Sequence, residues 1–227
     1  MSELAKQEYA FKSKAHIQYR TAKGEKVPGA STIGKISEDS GALIHWSWDL
    51  GMKGIDYKKH RDELGEAGTL THARIQADLQ GLDLAPQYFE EYSRRVWKIS
   101  EASFESWLAY KARRSWEPEM LEVALVSDKY KFGGTMDFFG ILDGILTVAD
   151  WKTSDWIFDS FRIQLAGYKI LLEEAGWEVK EGLILRLDRG AGTGFTEDHI
   201  RDFTLWEKIF HYNLKIYHLK KKIRKKD

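Results

Sequence analysis

Between residues 62 and 80 the chain sets Ile75 and Leu79 at helical spacing from His72, with acidic residues early and Gly81 as a stop, which predicts a helix. A second amphipathic stretch covers 86–114. It opens at Pro86, carries Phe89, Tyr92, Val96 and Ile99 at intervals of three and four, and continues as a further helix through Phe104, Trp107 and Leu108. From residue 120 the period becomes that of strands. LEVALVSD, YKFGGTMDFFGIL and ILTVADWK read as three short strands, the last two joined by Asp143-Gly144, a turn pair that favours a two-residue hairpin. Helical spacing returns over 159–175, GLILRLD at 182–188 reads as a fourth strand, and 203–225 reads as a long final helix. The expected class is α/β, with a central mixed β-sheet containing an antiparallel hairpin, flanked by helices, and a helical N-terminal half.

Composition narrows the chemistry. At 227 residues, with 43% hydrophobic positions and no repeat or low-complexity linker, the chain is expected to form one domain. Its expected parts are a mainly helical 1–117, a sheet core at 118–190 and a basic C-terminal helix at 203–227. The lack of cysteine excludes disulfides, thiolate zinc sites, iron–sulfur clusters and a cysteine nucleophile, so any metal must be held by oxygen and imidazole. No apolar run reaches the roughly 18 residues of a membrane span, and the N-terminus lacks the apolar core of a signal peptide. A soluble, cytoplasmic protein without a membrane partner is expected.

Net charge is zero, but it is segregated: residues 1–35 sum to +4, residues 213–227 to +6, and the segment between them to −10. Two basic ends are compatible with a polyanionic partner despite the neutral total. The Lys220, Lys221 and Lys222 run can also serve simply as the solvated, dipole-favoured end of a helix.

The hairpin turn fixes register. With Leu142 opposite Ile145, Asp137 falls opposite Asp150, and Lys152 shares the Asp150 face. Facing carboxylates repel, so a compensating group is expected, and a divalent cation fits. If the preceding turn is centred on Asp128 and Lys129, Glu122 lies opposite Thr135 and adds a third carboxylate. Such oxygen-rich sites suit Mg²⁺ or Mn²⁺ and the hydrolysis of a phosphodiester. Taken alone, the D-x-K triplet is a common chance pattern, and both His72 and Tyr168 read as packing residues.

Together, GTLTH with His72, LEVAL with Glu122, GGTMD ending at Asp137, ADWK with Asp150 and Lys152, and QLAGY with Gln164 and Tyr168 resemble the PD-(D/E)XK nuclease superfamily in its RecB-like exonuclease branch. The match in order and spacing runs from about residue 28 to 190. The resemblance implies a restriction-endonuclease-like core and a Mg²⁺- or Mn²⁺-dependent deoxyribonuclease acting at DNA ends. It also implies roles. His72, Asp137, Asp150 and the Trp151 carbonyl would bind metal, Lys152 would be catalytic, Glu122 would support the metal or its water, and Gln164 with Tyr168 would orient the site and the strand. Ser31 and Thr32 resemble a short N-terminal motif of phage members that lies near the DNA end. Lacking cysteines, the chain resembles the cluster-free phage or mitochondrial type, with a single-strand annealing protein or recombinase as the implied partner.

Other features add less. GASTIGKI has Ile36 where a phosphate-binding loop needs a hydroxyl, so no nucleotide cofactor is expected. Trp46 and Trp48 are expected to pack rather than stack on bases. Arg94, Arg95, Lys98, Lys111, Arg113 and Arg114 read equally as a phosphate track or a solvated face. A structure-selective endonuclease and a non-catalytic DNA-end-binding module are the alternative functions.

Overall fold

Capping decides where the N-terminal helices begin. The computed structural model describes residues 17–82, 90–190 and 193–224. A short α1 (Ala30–Gly34) runs into a 3-10 turn, and α2 (Gly41–Met52) follows. Helix α3 (Tyr57–Leu79) starts five residues before the expected position because the Asp56 carboxylate accepts from the Lys58 and Lys59 backbone N–H groups at 2.8 and 3.1 Å. Helix α4 (Arg94–Lys111) is capped by Ser93, whose hydroxyl accepts from Val96 N–H. It runs unbroken, so the expected division into two helices is incorrect. Pro86 and Phe89 lie outside the described residues.

The strands are β1 (Trp116–Ser127), β2 (Phe132–Leu142), β3 (Ile145–Lys152), β4 (Glu181–Leu187) and β5 (Phe195–Ile200), with α5 (Asp159–Glu174) between β3 and β4 and α6 (Thr204–Ile223) last. The sheet order is β1-β2-β3-β4-β5, antiparallel throughout except for the parallel β3–β4 pair. The parallel pair requires a crossover, which α5 supplies. This is the expected helix-flanked mixed sheet, with one strand more than the sequence pattern revealed: in β5 the charged Glu197 and Asp198 interrupt the apolar alternation.

Each sheet face has its own core. Helices α1, α5 and α6 cover one face, where Ile33, Met136, Phe139, Val148, Leu165, Leu172 and Phe210 meet. Helices α3 and α4 cover the other, where Ile75, Trp107, Phe138, Ala149, Trp151 and Leu185 meet. In that second core the Trp107 ring lies 5.1 Å from Trp151 and 5.0 Å from Trp116, each tilted by more than 50°. Such aromatic pairs contribute about 0.5–1.5 kcal/mol beyond their buried area. Trp151 thereby anchors β3 to α4, and its neighbours Asp150 and Lys152 project from the opposite face. No helix among the described residues is long and apolar enough to cross a membrane.

At the start of β4, Glu181 is buried and accepts from His199 Nδ1 at 2.8 Å and Arg201 Nε at 2.6 Å. Burial pushes its carboxyl upward, but the hydrogen bonds from Arg201 and His199 outweigh it and hold the pKa below the ordinary value. A depressed carboxyl stabilises the fold fully above the unfolded Glu range, about pH 4.3, and loses that contribution as pH falls through the folded value. Denaturant melts across pH 3–6 should show Glu181→Gln less steeply pH-dependent in the acidic window, by at most about one proton. An unchanged slope would contradict the linkage.

Candidate active site

The hairpin is built as its sequence demands. Asp143 and Gly144 take φ of 49° and 82°, as a type I′ turn requires, and Leu142 pairs with Ile145. The β2–β3 ladder continues to Phe138–Ala149 and ends there, one position before Asp137 and Asp150. The two carboxylates then take different partners. Asp137 Oδ2 accepts from the Trp151 backbone N–H at 2.7 Å, whereas Asp150 Oδ2 pairs closely with Lys152 Nζ and its Oδ1 accepts from Gln164 Nε2 at 3.3 Å. Part of the compensation expected from a cation therefore comes from the chain itself.

The β1–β2 turn is longer than the sequence suggested. It occupies Asp128–Lys131, closed by Lys131 N–H on the Ser127 carbonyl, with Ser127 Oγ accepting from Tyr130 N–H. This pairs Ala124 with Thr135 and flanks Glu122 with the Val123–Met136 and Leu121–Phe138 pairs, so Glu122 falls opposite Asp137 rather than opposite Thr135. Glu122 also has a left-handed backbone, φ 54°. Both strands change face at this point. Phe132 and Met136 belong to the α5 core but Phe138 and Leu142 to the α3–α4 core; on β1, Leu125 and Met120 lie on the α5 side while Leu121 and Trp116 lie on the other. The inversion brings Glu122 and Asp137 to His72 on α3. His72 Nδ1 is 3.2 Å from Asp137 Oδ1 and 3.9 Å from Glu122 Oε1.

Helix α5 supplies the other half. Gln164 and Tyr168 are one turn apart, and the Gln164 amide hydrogen-bonds the Tyr168 hydroxyl while its Oε1 accepts from Lys152 Nζ at 3.4 Å. Tyr168 is buried, and burial, reinforced by the Asp150 and Asp137 charges, holds its phenol well above the ordinary pKa. It therefore positions Gln164 as a neutral hydroxyl. Gly134 makes room for it: a Cβ there would lie 2.7 Å from the Tyr168 ring. Gly133 does the same for Tyr19, whose hydroxyl meets Thr135 Oγ1 at 2.9 Å. Tyr19 and Phe161, the latter beneath Lys152 Nζ at 4.7 Å, escaped the sequence reading, which used Thr135 only as a register position. The paired glycines were the available signal for the tyrosines.

A family model described as the PD-(D/E)XK nuclease superfamily matches residues 11–217. The chain belongs to this superfamily. Asp150, Trp151 and Lys152 spell a D-x-K pattern at the end of β3. The comparison with curated proteins returned no match. Among solved structures, one titled "Crystal structure of SSO0001" is 18% identical with a TM-score of 0.32, over 58% of this chain and 62% of its own length.

The donors present fit the divalent metal on which PD-(D/E)XK nucleases depend. His72, Glu122 and Asp137 each offer one ligand atom, all within 4.8 Å of one another. Ligands about 2.1 Å from a metal stand at most about 4.2 Å apart, and the two His72 separations, 3.2 and 3.9 Å, already meet that limit. Asp150 is outside this group and is held by Lys152 and Gln164. Trp151 presents its N–H to Asp137.

The outlying candidates separate. Ser31 and Thr32 are exposed at the start of α1, which begins beside the β2 edge through a Gly29–Gly133 bridge. Lys220, Lys221 and Lys222 end α6, and Lys221 Nζ donates to the Lys26 carbonyl at 3.5 Å. Trp46 packs on Tyr57 as expected, but Trp48 is exposed. Of the six basic residues that read as a phosphate track or a solvated face, Arg95 pairs with Glu63, Lys111 with Asp78, and Arg114 with Asp143 and Glu197, while Arg113 lies over the Phe195 ring and Arg94 and Lys98 are exposed.

Glu122→Gln removes one negative charge from a crowded acidic site. Without divalent metal its melting temperature should match or exceed that of the parent, while calorimetric Mn²⁺ affinity should fall on the order of tenfold. Undiminished affinity would place the metal elsewhere.

Proposed function

We propose that this protein is a Mg²⁺- or Mn²⁺-dependent exonuclease of the RecB-like branch that hydrolyses phosphodiester bonds at DNA ends. The observation that carries this reading is the meeting of the His72–Glu122–Asp137 cluster with the Asp150–Lys152–Gln164 network, bridged by the Trp151 N–H to Asp137 bond. A divalent cation bound by His72, Glu122 and Asp137 would supply charge stabilisation at the scissile phosphate and a more acidic bound water.

The chain's own groups do the rest. Lys152 Nζ, braced by Asp150, Gln164 and the Phe161 ring, directs its charge and hydrogen bonds at the phosphate and the attacking water. Gln164, itself held by Tyr168, keeps that ammonium from folding away. The water oxygen bonds to phosphorus, the P–O3′ bond breaks, the O3′ oxygen takes up a proton, and the phosphate stays on the 5′ end of the product. Lys220, Lys221 and Lys222, with the basic N-terminal arm, offer contacts for the flanking strand. Ser31 and Thr32 lie where α1 meets the β2 edge, consistent with a place near the strand end. A cytoplasmic, phage-type role in recombination or repair, beside an annealing protein or recombinase, accompanies this reading.

Asp150→Ala and Lys152→Ala should each abolish Mg²⁺-dependent digestion of end-labelled linear DNA, by at least about a thousandfold, with the fold retained by circular dichroism. Covalently closed circles should resist the parent protein. Parental rates in either variant would refute the catalytic assignment, and cleavage of closed circles would identify an endonuclease.

A further inference from the structure

The segment joining β3 to α5 carries a large aromatic side chain turned to solvent. Trp156 is 73% exposed, the most exposed large hydrophobic among the described residues. Its backbone is nevertheless tied down: Ser154 Oγ donates to the Trp156 carbonyl at 2.7 Å, and the adjacent Asp155 pairs with Arg189, two residues beyond β4. The loop is pinned from within and from β4, so the indole is displayed on an anchored support. Trp156 is four residues from Lys152, which bounds the separation at about 14 Å even for an extended chain, a span of a few nucleotides. Further aromatic rings lead inward. Phe158, itself 37% exposed, meets Phe161 edge-on with centroids 5.4 Å apart, and Phe161 underlies Lys152 Nζ at 4.7 Å.

A flat, solvent-facing indole beside a site that takes phosphodiesters matches the unpaired base of a single strand. In a duplex both faces of an internal base are already stacked, whereas a single strand leaves them free for an aromatic platform. We propose that Trp156 is the stacking platform for an unpaired nucleobase near the scissile phosphate, so that the enzyme engages its substrate as a single strand. This rests on the nuclease reading above and adds the substrate form and a residue that selects it.

The test uses the full chain carrying Lys152→Ala, with Mg²⁺, so that the strand stays intact. Fluorescence anisotropy of a labelled 12-nucleotide single strand should show Trp156→Ala binding about tenfold more weakly, with Trp156→Phe recovering most of the loss. A blunt duplex of the same sequence should change less than about twofold. One abasic position, found by scanning the oligonucleotide, should cost as much as Trp156→Ala and cost nothing further in its presence. Equal single-strand affinity in Trp156→Ala, or abasic losses that add fully to it at every position, would overturn the proposal. So would failure of the Trp156-intact protein to bind single strands. Digestion of the same strand by the protein with Lys152 intact tests the nuclease reading separately, because Trp156-dependent binding without digestion would refute that reading alone.

Discussion

The candidate site depends on one backbone constraint, the left-handed conformation of Glu122 opposite Asp137. A non-glycine residue there costs on the order of 1–3 kcal/mol and persists only where its surroundings enforce it. Here the two cores do so. Met136 and Leu125 are claimed by the α5 side, Phe138 and Leu121 by the α3–α4 side, and the strands satisfy both only by inverting between them. An uninterrupted pleat would force one of these pairs out of its core. The carboxylates sit at the inversion and so reach His72 on α3 while remaining next to β3.

That placement divides the chemistry. Acidic and imidazole groups that suit a cation collect on the β1–β2 side, and the ammonium, amide and phenol collect around Asp150. The Trp151 N–H to Asp137 bond joins the two halves. Trp151 has two tasks: its indole fixes β3 in the aromatic core and its backbone orients a carboxylate on the other strand. The middle position of the D-x-K triplet is therefore as constrained as its charged neighbours, through packing instead of reactivity.

Much of this was legible in the sequence because local chemistry encodes it. Asp143-Gly144 determines its turn, the turn determines the register, and the register brings Asp137 and Asp150 together. Gln164 and Tyr168 came from the resemblance, and helical spacing added that they share one face of their helix. The Glu122 pairing was misplaced by two residues because the turn at 128–131 relies on a left-handed Lys131 and a serine hydroxyl, neither of which has the compositional mark of Asp-Gly. An even displacement preserves the face, so the third carboxylate was still included. The inversion had no signature, since it arises from competition between two cores. Strand β5 was hidden by its charges, and Tyr19 by the long sequence distance to Gly133 and Thr135.

Charge reads differently in three dimensions. Acidic Glu122 and Asp137 gather at the sheet inversion, while Lys221 near the end of α6 reaches the Lys26 carbonyl. On the proposed function, the acidic cluster is useful only if it holds a cation. The most direct measurement is anomalous diffraction from crystals of the protein grown with Mn²⁺. The account requires a manganese peak within coordination distance of His72, Glu122 and Asp137, with Glu122 still in the left-handed region. A peak confined to Asp150 and Lys152, or a regular extended Glu122 with no metal beside it, would contradict it.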